Sequence, residues 1–150
     1  MNAKAVTTAR VLLGLLFLVF GLNGFLHVFP QPQMEGKAGE LIQGLVSGQY
    51  VFPLLFAIYT FAGAALLTDR FVPLALTLLA PIVVNIVAIH LFLAPSGLPV
   101  AVIVLGLEVF LAWSHREAFR PLLQPRQQPA SPTGTPAVTS RARTEARNAS

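Results

Sequence analysis

The chain has 150 residues, 55% of them hydrophobic and only 11% charged, with a formal net charge of +4. A water-soluble domain carries about 25% charged residues, so an ordinary soluble enzyme is excluded. There is no cysteine, which removes disulfides, thiolate metal sites, cysteine-ligated iron–sulfur clusters and cysteine nucleophiles.

Between Val11 and His115 the only formal charges are Glu35, Lys37, Glu40, Asp69, Arg70 and Glu108. Around them run four apolar stretches, at about 8–29, 51–68, 71–94 and 98–114. Each is near the roughly 20 residues a helix needs to cross a bilayer. Lipid offers the backbone no hydrogen bonds, so each is predicted to be a helix. Runs such as VLLGLLFLVF do not alternate as barrel strands do. The expected fold is all-α: an integral membrane four-helix bundle over residues 1–120.

Lys4 and Arg10 precede the first stretch as in a signal peptide, but it ends in His27-Val28-Phe29-Pro30 rather than in small residues. It is read as a retained span. Asn23 and His27 are four apart and share a face. Gly14 and Gly21 lie roughly opposite, suited to close helix contact. In residues 30–49, Ala38, Leu41, Ile42, Leu45 and Val46 recur at helical spacing among polar residues, and Ser47-Gly48 is a stop. A short amphipathic helix on the outer surface is predicted there. Gly36, Gly39 and Gly44 weaken it and leave a polar loop as the alternative.

The second stretch carries Tyr59 and Thr60, and a small-residue stripe at Thr60, Ala64 and Thr68. The third carries Thr77, Pro81, Asn85 and His90; Pro81 leaves the Thr77 carbonyl without its helical donor. The fourth carries Glu108 near mid-membrane, and Trp113 at the level of an interfacial aromatic. Basic residues at Lys4, Arg10, Arg70, Arg116, Arg120 and Arg126 put both termini in the cytoplasm. Residues 121–150 are rich in Pro, Gln, Ser, Thr and Arg; this basic tail is predicted to be disordered. It holds no aromatic, so nucleic-acid binding is not expected.

Counted by depth, Asn23, His27, Tyr59, Asn85, His90 and Glu108 fall in the outer half of the bundle or near its middle. Polar groups in a membrane mark function, so these six are the candidate ligand-binding residues, expected to converge on one buried chamber. The bland reading of Asn23 and Asn85 is hydrogen bonding between helices. Glu108 is expected to carry a proton or to pair with His27, His90 or an Asn. Two histidines invite a bis-histidine haem, but no further pattern supports it.

RVLLGLLFLVFGLNGFLHVFP, DRFVPLALTLLAPIVVNIVAIHLFL and AWSHREAFRPLL resemble the DoxX family of small bacterial membrane proteins, across roughly residues 8–123. The resemblance implies a four-helix bundle in the bacterial inner membrane, and a link to quinone-dependent redox complexes. It implies quinone as a ligand and a membrane or redox protein as partner. Relatives often carry an acid in the second span before a Gly, where this chain has Tyr59, Thr60, Phe61 and Ala62. The expected function is a quinone- or small-amphiphile-binding membrane subunit rather than a stand-alone enzyme. A non-catalytic assembly factor and a small-metabolite transporter are the alternatives, and self-association stays open.

Overall fold

A computed structural model describes residues 2–30 and 33–123. These are helical apart from short connections, with no strand among them. Five long helices follow in order: α1, Ala3–Leu26; α2, Gly36–Ser47; α3, Val51–Leu67; α4, Val72–Phe92; and α5, Leu98–Ser114. All lie in the compact unit Met1–Arg120. From residue 124 onward the expected disordered tail lies outside the described residues.

Local chemistry sets the helix ends. The Asn2 side chain accepts the Lys4 N–H at 3.1 Å, an N-cap that starts α1 earlier than hydropathy alone predicts. α1 stops where His27 turns left-handed and its N–H bonds back to the Asn23 carbonyl. Pro73 and Pro99 sit in the first turns of α4 and α5, where a missing N–H is harmless. The reversal between α3 and α4 uses left-handed backbone at Asp69 and Phe71.

α1, α4 and the stretch Pro95–Ser114 are each long and apolar enough to cross a membrane. α2 and α3 meet that test as a pair, bent by 93°. Among the described residues, three helices are therefore long and apolar enough to span a membrane, or four with the bent pair counted as one. Exposure supports the same reading. Leu12, Leu15, Val19, Val84, Leu91, Val102, Ile103 and Val109 are exposed, whereas Gly14, Gly21, Gly24, Ala62, Gly63 and Ala75 are buried. Water would not tolerate so large an apolar surface. In lipid it is the expected arrangement, with small residues inside where backbones approach. These are the features of an all-helical multi-pass membrane protein.

The closest packing joins α1 to α3, which run antiparallel. Gly14 faces Gly63 and Leu66, Gly21 faces Tyr59 and Thr60, and Gly24 faces the Phe56 ring. A Cβ on Gly21 would sit 2.6 Å from the Thr60 nitrogen, and one on Gly63 would overlap the Leu18 backbone. The expected stripe on α3 is corrected here: Thr60 takes part, but Ala64 and Thr68 are exposed. Gly63 allows the nearest approach, and that fixes the rotation of α3. At the far end of this contact Arg10 donates to the Leu66 carbonyl and lies 3.4 Å from the Asp69 carboxylate. A cation among the last carbonyls of α3 also suits its helix dipole. α4 packs on α3 and α5, and α5 also packs on α1. Trp113, at the end of α5, is exposed and carries the Arg116 guanidinium 5.9 Å from its ring centre.

Candidate functional site

A cavity of about 590 Å³ lies where the end of α1, the helix α2 and the start of α3 meet. Its wall is aromatic. Phe20 and Phe25 come from α1, and Phe52, Phe56 and Tyr59 come from α3. The rings brace one another. Phe25 and Phe56 pack edge to face at 6.1 Å, Phe52 and Phe56 lie 5.6 Å apart, and Tyr59 packs on the buried Phe17 at 5.0 Å. Gly24 is what lets Phe56 lie against α1. Met34, Ile42, Val46 and Gln49 close the side formed by α2 and its flanks. Such a volume falls in the roughly 300–1,000 Å³ range of small-molecule sites, which are mostly apolar with a few placed polar groups.

Two of the six predicted residues line this cavity, His27 and Tyr59. His27 Nδ1 is 3.1 Å from the Phe25 carbonyl. A carbonyl only accepts, so Nδ1 carries the hydrogen and, in the neutral ring, Nε2 keeps its lone pair. The Tyr59 hydroxyl has no hydrogen-bond partner among the described residues and can donate to a guest.

Asn23 supports the cavity without lining it. It is 2% exposed, its Nδ2 donates to the Phe29 carbonyl at 2.9 Å, and its Oδ1 accepts the Phe29 N–H at 2.9 Å. Both ends of the amide are thus spent on holding the chain that leaves α1 against the helix. The bond between helices expected of it does not form.

The other three do not join them. Asn85 is exposed on α4. His90 donates from Nδ1 to the Ile86 carbonyl at 2.8 Å, and its ring packs on Gly97 in the α4–α5 connection. Glu108 is 5% exposed on the inward face of α5 with Ala101, Val104 and Leu111. Its Oε1 has no partner, so the expected pairing with a histidine or asparagine is absent among the described residues. The single convergent chamber is replaced by an aromatic cavity at one end of α1 and α3.

Apart from Tyr59, the aromatic lining escapes a reading built on polar residues. Its signal was present: Phe52, Phe56 and Tyr59 fall at i, i+4 and i+7 on one face of α3.

Fold and cavity define a class, a helical multi-pass membrane protein with a small-molecule-sized aromatic pocket. Set against family models, characterised proteins and solved structures, the chain gives no match.

Proposed function

We propose that the chain is a DoxX-like four-helix membrane subunit of the bacterial inner membrane that binds a quinone or similar small amphiphile and serves a redox partner. Both termini lie in the cytoplasm in this reading, and α2 rests on the outer surface beside the cavity. The cavity carries the proposal. A wall of phenyl rings, packed edge to face or tilted, suits a flat conjugated head group, and the free Tyr59 hydroxyl suits a quinone carbonyl. His27 Nε2 suits the hydroxyl of the reduced form. A bound quinone would supply electron-accepting chemistry. The chain's own residues would hold and orient it, and the partner would supply the electrons.

Binding of a short-chain ubiquinone analogue to the purified protein in nanodiscs, followed by flow dialysis, tests the reading. Val46→Trp fills the cavity from α2 and is expected to abolish binding. Tyr59→Phe removes one hydrogen bond and is expected to weaken binding up to about tenfold. His27→Asn is preferred to Leu because the position is left-handed, at φ 51°, which Asn tolerates. Binding unchanged in Val46→Trp rejects the pocket.

Glu108 favours a second reading, carriage of a proton or small metabolite, because a carboxyl buried in a membrane marks such pathways. Liposome flux that is insensitive to Glu108→Gln removes it.

A further inference from the structure

One polar side chain on α4 faces where lipid would be. Asn85 is exposed, and among the described residues its amide has no hydrogen-bond partner. It lies seven residues before the end of α4 at Phe92, about 10 Å along the axis, well inside the hydrocarbon. Acyl chains neither donate nor accept, so an unpaired amide at that depth is unfavourable.

Asn85 does not stand alone. Thr77 and Pro81 precede it at four-residue steps, and both are exposed. Pro81 has no N–H, so the Thr77 carbonyl lacks its helical donor. The Thr77 hydroxyl is already committed to the Pro73 carbonyl at 2.8 Å. A carbonyl without its regular helical donor and an unpaired amide therefore share one outward stripe of α4. Nearby, Ala80 is exposed and small. The outward sides of α1 and α5 differ: Leu12, Leu15, Val19, Val102, Ile103 and Val109 are fully satisfied by lipid.

We propose that this face of α4 binds a second copy of the same chain, the Asn85 amides of the two copies hydrogen-bonding to each other. The complementarity lies within the group. An amide has a donor end and an acceptor end, and two amides related by a two-fold axis along the membrane normal pair donor to acceptor in both directions. A copy inserted in the same orientation also brings its Asn85 to the same depth. A different membrane protein would need a polar group placed at that level independently. The proposal rests on α4 crossing the membrane and not on the quinone pocket, which belongs to α1, α2 and α3.

The absence of cysteine makes the test clean. Val84→Cys, at a position 61% exposed beside Asn85, is introduced into the full chain in membrane vesicles, with Leu15→Cys on α1, 46% exposed, as control. On oxidation Val84→Cys is expected to give a disulfide product of twice the 16.1 kDa chain mass, severalfold more than the control. Adding Asn85→Leu is expected to lower the association constant about tenfold. Asn85→Gln keeps an amide, retains most of the cross-linking and separates lost pairing from lost folding. The proposal is overturned by Val84→Cys cross-linking no better than Leu15→Cys, by cross-linking undiminished in Asn85→Leu, or by an adduct whose mass is not twice the chain.

Discussion

The α1–α3 side and the α4–α5 side solve the problem of polarity in an apolar medium differently. On the first side the inward polar groups are spent, apart from the Tyr59 hydroxyl at the cavity. Asn23 closes two bonds on the Phe29 backbone, Arg10 grips the end of α3, and Thr60 bonds its own Phe56 carbonyl at 2.8 Å. On the second side Asn85 points outward unpaired, and Glu108 is buried with an orphan oxygen. The same residue type, asparagine, is a local brace in one place and a free contact group in the other. Tight glycine packing needs satisfied neighbours; a looser pair of helices can carry groups that await a partner.

That contrast can be broken at its strongest point first. Gly63→Leu forces a side chain into the Leu18 backbone, which cannot move aside. Unfolding in mixed micelles is expected to show a loss of about 3 kcal/mol, and a change near zero would mean that α1 and α3 are not so closely packed. Asn23→Leu comes next. It strands a backbone N–H and a carbonyl at Phe29, and a loss of about 2 kcal/mol is expected, together with weaker quinone-analogue binding as the cavity wall loosens. The smallest effect has the opposite sign. Glu108→Met removes an unpartnered buried oxygen and keeps the volume, so stability is expected to rise by about 1 kcal/mol. A loss there would reveal a partner for Glu108 and bring the two sides closer in character.

Much of the fold was legible because lipid imposes length and charge rules. The four apolar stretches became α1, α3, α4 and α5, and the spacing through residues 36–47 became α2. Position along each helix was legible too, since residue number converts directly to distance along its axis. Rotation about the helix axis was not. In a soluble helix a polar stripe marks the outward face. α4 is apolar nearly all round, so nothing in the sequence distinguishes buried Val83 from exposed Val84 or tells which way Asn85 faces. Asn85, His90 and Glu108 were therefore grouped by level although they point different ways. Asn23 was legible as important but not as a brace, because its partner is backbone, and any residue at position 29 other than proline would offer the same N–H and carbonyl.

The grip of Arg10 on α3 also bears on how the protein is made. Its acceptor lies 56 residues downstream, so a ribosome delivers the guanidinium long before the carbonyl that will hold it. During synthesis the first helix must leave this cation at the headgroup surface, and the helix that follows, α2, offers it no relief. Only when the α3–α4 turn has been translated can the charge be retired. The pairing of α1 with α3 thereby waits for α3, and a truncated nascent chain ending before Leu66 could not complete it.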